Sequence, residues 1–326
     1  MTSARALALI CAADAVLGDP AWFPHPVRII GALCTQAERL ARAYARGDAR
    51  RERRAGTMLC AALVGGTYVW STIILARARE RDARFGAALE IGLGWTTIAA
   101  RDLLADAHAV IAALVEGDVP RARIRVARIV GRDTARLDEG EIARATIETL
   151  AESACDGVVA PFLALALGGV PLALAFKAAS TLDSMLGHLE APYTHLGWAS
   201  ARLDDVACFI PARVTALAIV LCSPCISGDT FRALAVLLAD GQHHRSPNAG
   251  RPEAAMAGAL GVRLGGMNYY DGVAHQAPTL GSRFPQPTIA DIRRAASLVC
   301  ASTLTAAIAI VGFRSLFIRL RRKPKR

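Results

Sequence analysis

The chain has 326 residues, 53% of them hydrophobic and only 20% charged, with a mean hydropathy of +0.34, more apolar and less charged than a soluble globular domain. That composition excludes a disordered chain. The net charge of +10 is uneven: residues 39–54 hold seven Arg against two acids, and residues 319–326 hold six basic side chains. Two short basic clusters beside apolar runs orient a membrane protein, whereas nucleic-acid binding calls for a basic surface spread over a folded face.

Aromatics are 6% of the chain while Ala, Leu, Val and Ile abound, which favours packed helices over an aromatic-rich sandwich. In chain order, a weak apolar run at 6–17 is interrupted by Asp14 and leads into a Gly18-Asp19-Pro20 turn, so it is read as mature protein and not as a signal peptide. The clearest span is 57–76, uncharged and bracketed by Arg. A second weak run, 85–100, carries Glu90, and an Arg-rich helical stretch, 101–156, is divided by Pro120. Further spans are predicted at 157–176, at 206–226 with Pro211 and Arg213 near one end, and at 296–313. Between the last two lies 227–294, whose Gly, Pro and Asn clusters mark ordered loops. The expectation is an all-α, polytopic integral membrane protein with about 4–6 membrane-embedded helices, forming a single membrane-embedded domain over 1–326 with its site in the polar segments. The positive-inside rule places the 39–54 cluster and the tail in the cytoplasm, but Arg77, Arg79, Arg81 and Arg84 make the other flank of the first span basic too. Eight scattered Cys form neither a disulfide framework nor a zinc spacing.

Several polar residues stand out. Arg144, Glu148, Glu152 and Asp156 recur every four positions, a helical stripe turning by about 40° per step, read either as a salt-bridged solvent face or as a patch for a divalent metal or an amine. Lys177 is the one lysine outside the tail; with Thr181, Ser184 and His188 it lines one helical face, either as an interface anchor or as a cation beside a phosphate or carboxylate. Asp204 and Asp205 adjoin each other between Arg202 and Arg213. The loop from Asp240 to Glu253 enters a helix with Pro252 in its first turn, a place that favours anions. Beyond it Ala254, Gly258, Gly261 and Gly265 make a small-residue face, either for close helix packing or for a flat ligand. No GxxxxGK[ST], HExxH or GxSxG pattern occurs.

Taken in order, the motifs are Gly18-Asp19-Pro20 with His25-Pro26-Val27, Val130-Gly131-Arg132-Asp133-Thr134, and Asp156 through Pro161. They continue with Thr181-Leu182-Asp183-Ser184-Met185, Asp204-Asp205 with Ile210 through Arg213, and Ser246-Pro247-Asn248 with Met256-Ala257-Gly258. This series resembles the CbiB/CobD family of cobalamin biosynthesis, the adenosylcobinamide-phosphate synthases, from about residue 14 to about residue 285. The resemblance implies a multi-pass protein of the cell inner (cytoplasmic) membrane. It implies an ATP-dependent amide ligase that joins adenosylcobyric acid to (R)-1-aminopropan-2-ol or its O-phosphate. ATP and Mg²⁺ are then expected, with the adenosylated corrinoid as substrate; the expected partners are membrane lipid and late cobalamin-pathway enzymes, and no nucleic acid.

Under that resemblance Glu148, Glu152, Asp156 and Asp183 are candidates to bind the amine and take its proton. Lys177 joins them as a catalytic candidate. Arg132, Arg213 and the Ser246–Asn248 loop suit phosphate, with Thr181 and Ser184 beside Lys177, and Asp204 and Asp205 suit the metal. Asp19, His25, Asp133 and His244 match motif positions of the binding site without an assigned role, and Gly258 centres the face offered to the corrin. Ser153, Ser180 and Cys208 stand where the family pattern has Asn, and Arg251 where it has an aromatic, which bears on the choice of amino alcohol. A transporter or a scaffold for corrinoid-pathway enzymes is the alternative from another class.

Overall fold

The computed structural model describes residues 2–20, 22–188 and 190–321; the basic tail beyond Arg321 lies outside them. The chain is 74% helical. In order its helices are α1 (Ala4–Leu17), α2 (Pro26–Ala45), α3 (Ala49–Arg81), α4 (Ala83–Trp95), α5 (Ala100–Val115), α6 (Val119–Val126) and α7 (Glu139–Ser153). A π-helical turn (Ala154–Val159) joins α7 to α8 (Ala160–Gly168), and then come α9 (Val170–Leu186), α10 (Trp198–Ala207), α11 (Phe209–Cys222), α12 (Thr230–Asp240) and α13 (Gly250–Leu260). Strands β1 (Leu264–Tyr270) and β2 (Val273–Leu280) precede α14 (Ile289–Arg321). Four segments are long and apolar enough to cross a membrane: Ala49–Arg81, Glu139–Gly168, Phe209–Ile226 and Ile289–Leu320. The protein is an all-α polytopic membrane protein with one small hairpin.

Helix starts follow local chemistry. Asp48, Asp82, Asp118 and Asp229 each accept a backbone N–H at the first turn of α3, α4, α6 and α12, and Asp138 with Glu141 forms a reciprocal capping box on α7. Pro120 opens α6, so it does separate two helices.

Two compact units are present. The first holds the chain up to Ala99, Ala160–Cys208 and α14 from Ile310. In it α3 pairs with α2 and α4, and Cys34 and Ala41 of α2, Leu59 and Cys60 of α3, and Leu182 and Leu186 of α9 share a core. The second holds Ala100–Val159 and Phe209–Ala309. Its core gathers Leu150 of α7, Ile219 of α11, Val236 of α12, Met256 of α13 and Leu298 of α14. Every residue of α13 from Pro252 to Leu260 is buried.

Two expectations are corrected, and the weak runs, expected as re-entrant or protein-buried segments, take definite lengths. The run 157–176 is not one helix: Gly169, at φ +75°, ends it and Pro171 starts α9, because a left-handed glycine followed by proline stops one helix and opens another. The weak runs are α1 and α4, of 14 and 13 residues, about 20 Å long and too short for a 30 Å hydrocarbon core. Within 227–294 the loops include a hairpin, with Leu264 opposite Leu280 and Tyr270 opposite Val273. Its two-residue turn puts Asp271 at φ +50° and Gly272 at φ +78°, the conformations that Asp-Gly adopts in a tight hairpin.

Candidate functional site

In the second unit a cavity of about 230 Å³ is lined by Gly131, Arg132, Glu148, Thr149, Glu152, His244, Glu253, Asn268 and Tyr270, among others. Glu148 is its hub. Arg132 donates to Glu148 Oε2 and to Asn268 Oδ1. Arg144 donates to Glu148 Oε1 at 3.2 Å, to the Gly265 carbonyl at 2.9 Å, to the Met267 carbonyl at 3.0 Å and to Asn268 Oδ1 at 3.0 Å. The Gly265 amide closes the web on Glu148 Oε1 at 2.7 Å. Within the i,i+4 stripe, Arg144 and Glu148 are therefore clamped to the hairpin while Glu152 stays exposed, and charge-assisted bonds of this kind are the strong ones.

Glu253, in the first turn of α13, is 7% exposed, and no described residue donates a hydrogen bond to its carboxyl. Burial, reinforced by the charges of Glu152 and Glu148 and opposed by Arg132, holds that carboxyl well above the usual carboxylate range. Burial also lowers the His244 imidazole from its ordinary value while its Nδ1 accepts the Ser246 amide at 3.1 Å. Tyr270 is raised, again mainly by burial. Burial thus favours the neutral form of both Glu253 and His244 in this cavity.

The remaining predicted residues of this unit hold its frame. Asp133 takes the Gly272 amide on Oδ2 at 2.8 Å, and its own amide donates to the Tyr269 carbonyl at 2.8 Å, so it clasps the hairpin tip. Ser246 Oγ accepts the Asn248 and Ala249 amides, and Arg213 bonds the Phe209 carbonyl at 2.7 Å while reaching Asn248. Asp156 lies on the π-helical turn, outside the lining. Gly258 corrects an expectation: a Cβ there would sit 2.7 Å from Ala233 Cα, so this small-residue face is filled by α12 and offers no bed for a flat corrin.

The first unit has its own cavity, about 240 Å³, lined by Asp19, His25, Arg28, Thr96, Thr97 and Lys177 with Val27 and Ala99. His25 caps α2, its Nδ1 accepting the Val27 amide at 3.3 Å, and its Nε2 lies 3.1 Å from Asp19 Oδ1. Among the described residues only Nδ1 makes a hydrogen bond; the Nε2–Asp19 approach is a close contact without hydrogen-bond geometry. Thr181 bonds the Lys177 carbonyl at 2.7 Å, Ser184 is exposed, and neither they nor Asp183, Asp204 and Asp205 line this cavity. Asp205 pairs with Arg202 at 3.1 Å. Among the described residues no three His, Cys, Asp or Glu side chains are grouped to hold a metal ion. An adjacent Asp pair suits only a metal that arrives on phosphates, the mode in which Mg²⁺ takes one or two carboxylates.

Sequence reasoning missed Glu253, Asn268 and Tyr270. Asp271-Gly272 between Tyr270 and Val273 was a readable hairpin signal; nothing local marked Glu253.

The chain matches the profile of the CobD/Cbib protein family over residues 7–299. It is 46% identical to "Cobalamin biosynthesis protein CobD" of Geobacter metallireducens over 86% of this chain and 87% of that one. It is 42% identical to the protein of the same name from Pelobacter propionicus, over 93% and 92%, and 40% identical to "Cobalamin biosynthesis protein CbiB" of Salmonella typhimurium, over 92% and 94%. No solved structure matches it. With a family profile covering most of its length and relatives aligned nearly end to end, this chain belongs to the CobD/Cbib family.

Proposed function

We propose that this protein acts in cobalamin biosynthesis as an amide ligase of the cytoplasmic membrane, condensing adenosylcobyric acid with (R)-1-aminopropan-2-ol or its O-phosphate. Family membership supports the pathway, and the observation that carries the chemistry is the second unit's cavity. A small space walled by Glu148, Glu152 and Glu253 suits a small organic cation and is far too small for a corrin. The macrocycle stays outside and presents only its propionate.

Each residue then has a task. Glu148, with both oxygens engaged, is a fixed negative charge that orients the ammonium. Glu152 lines the same wall and takes the proton that the nitrogen must lose before it attacks. Arg132 and Asn268 stand where the hydroxyl or its phosphate ester lies. In the first unit Arg28 and Lys177 present two cations to a cavity of their own, which suits the phosphates of ATP, and Asp204 with Asp205 would hold Mg²⁺ carried on them. ATP supplies the activation that a free carboxylate needs to form an amide.

The test uses the purified full chain in detergent with adenosylcobyric acid, Mg²⁺, ATP and either amine, read by mass spectrometry of the corrinoid. A mass gain equal to one amine minus water is expected, lost when ATP is left out. An unchanged corrinoid under all conditions, together with corrinoid flux in proteoliposomes, would replace the ligase with a transporter.

A further inference from the structure

We propose that Glu253 receives the ammonium in the second unit's cavity and releases one proton as it does so, so that the site takes a monocationic primary amine in exchange for H⁺. Glu253's role, which rests on the amine reading above, is fixed by geometry and by charge balance. Glu148 cannot serve, because Arg132, Arg144 and the Gly265 amide already occupy its two oxygens. Glu253 is buried, faces the cavity and takes no hydrogen bond from any described residue. Its ionised form is disfavoured by burial and by the charges of Glu152 and Glu148, and a cation that donates to the carboxyl from the cavity offsets both.

The surroundings set the stoichiometry. From α7, Arg144, Glu148 and Glu152 stand around Glu253; the loop before α7 supplies Arg132, the loop before α13 His244, the hairpin Tyr270 and the π-helical turn the more distant Asp156. Arg213 on α11 is engaged with the Phe209 carbonyl. At the far end of α13, Arg232 and Arg294 hold the carbonyls of Gly258, Ala259 and Leu260. None of these three forms an ion pair with Glu253. In the lining and its clamp, Arg132 and Arg144 balance Glu148 and Glu152, so the cavity is neutral while Glu253 keeps its proton. Ionised, it carries one surplus negative charge, which one ammonium cancels. The exchange is R–NH₃⁺ plus Glu253–COOH giving the R–NH₃⁺···⁻OOC–Glu253 pair plus H⁺ to solvent. A divalent cation would leave positive charge in excess, in keeping with the lack of a three-donor metal group among the described residues.

The experiment is isothermal titration of the full chain in detergent with (R)-1-aminopropan-2-ol, from mildly acidic to neutral pH, in paired buffers of different ionisation heat. The wild type is expected to release about one proton per amine, and to bind about tenfold tighter per pH unit while Glu253 holds its proton. Glu253→Gln should bind more weakly and lose both the released proton and the pH slope. Glu253→Asp and His244→Gln should retain them. Unaltered proton release in folded E253Q, or a wild-type affinity independent of pH, overturns the role of Glu253. If E253Q does not fold, the wild-type proton count decides alone. Amide formation assayed in parallel separates the two ideas: a wild type that makes amide without releasing a proton on binding amine sinks only the exchange, whereas one that neither binds amine nor makes amide sinks the amine reading with it.

Discussion

The two cavities are alike in volume, about 230 and 240 Å³, and opposite in chemistry. In the second unit three carboxylates line the wall with a single guanidinium, that of Arg132. In the first, Arg28 and Lys177 share the wall with one carboxylate, Asp19, beside His25. They also differ in wiring. The acidic cavity is tied together by bonds between residues more than a hundred positions apart, such as Arg144 with Met267 and Glu148 with Gly265. In the other the bonds at His25 are short-range, its Nδ1 accepting the Val27 amide two residues on and its Nε2 facing Asp19, although the wall also draws on Thr96, Thr97 and Lys177. A substitution in the long-range web should therefore damage fold and function together, and replacing a wall cation of the other cavity should act mainly on function.

The largest expected effect tests that contrast directly. Glu148→Ala strips the acceptor from Arg132, Arg144 and the Gly265 amide, leaving two guanidinium groups uncompensated at 6% and 8% side-chain exposure. Breaking a buried pair in this way costs about 3–5 kcal/mol, to be read as a large fall in thermal unfolding temperature in detergent. Lys177→Met, which keeps the aliphatic stem, should leave that temperature nearly unchanged. It should also leave aminopropanol binding intact while cutting amide formation about 100-fold. Equal destabilisation by the two would erase the distinction in wiring.

The same difference in wiring explains what could be read from the chain. The stripe Arg144–Glu148–Glu152–Asp156 is visible because i,i+4 spacing is local, as are the Asp caps and the apolar spans over 57–76, 206–226 and 296–313. The clamp is invisible because its other half, Gly265, Met267 and Asn268, sits on a hairpin more than a hundred residues on, beyond the candidate membrane segment Phe209–Ile226. Glu253 stands in the sequence only as the end of the Asp240–Glu253 loop; its burial beside Glu148 and Glu152 is a product of the fold. The small-residue face around Gly258 was correctly seen as a face, but spacing alone does not say whether a helix or a ligand fills it. The break at Gly169 was legible in Gly168-Gly169-Val170-Pro171, and was overridden by an uncharged run long enough to span.

Glycine substitutions probe the packing of the two units at a smaller scale. Gly258→Ala places a methyl against α12 backbone, 2.7 Å from Ala233 Cα and 2.8 Å from the Arg232 carbonyl. Overpacking of that kind costs about 1–3 kcal/mol, and displacement of α13 would carry Glu253 with it, so amine affinity should fall too. Gly66→Ala on α3 of the first unit meets nothing within 4 Å and should be neutral, or gain up to about 1 kcal/mol of helix propensity. Thermal unfolding of the pair, with amine titration of Gly258→Ala, checks both. A tolerated Gly258→Ala would mean that α12 can give way and that the face is less tightly filled.

The raised Glu253 and the lowered His244 of the acidic cavity predict opposite pH slopes for the ligand-free protein. Glu253 is raised on folding, so the native state binds more protons than the unfolded one above the ordinary carboxylate value; stability is fullest below that value and declines as pH rises toward the elevated one. His244 is lowered, so its contribution is full above the ordinary histidine value and is lost as pH falls through the lowered one. Each slope is bounded by about 1.4 kcal/mol per pH unit. Unfolding temperature against pH for the wild type, Glu253→Gln and His244→Gln separates them, since each variant should flatten one limb only. If Glu253→Gln leaves the falling limb in place, that limb belongs to another group.

The smallest expected change lies in the first unit. Asp205 pairs with Arg202, whose side chain is 65% exposed, and surface pairs of this kind contribute about 0–1 kcal/mol. Asp205→Asn should therefore leave the unfolding temperature almost where it was. Its value lies in what else moves. If Asp204 and Asp205 hold Mg²⁺ carried on phosphates, Asp204→Asn should raise the Mg²⁺ concentration that supports half-maximal amide formation several-fold. Asp205→Asn should do the same. An unchanged Mg²⁺ requirement in both variants would move the metal away from this pair and leave the phosphates to Arg28 and Lys177 alone, which would make the contrast between a cation-receiving and an anion-receiving cavity sharper still.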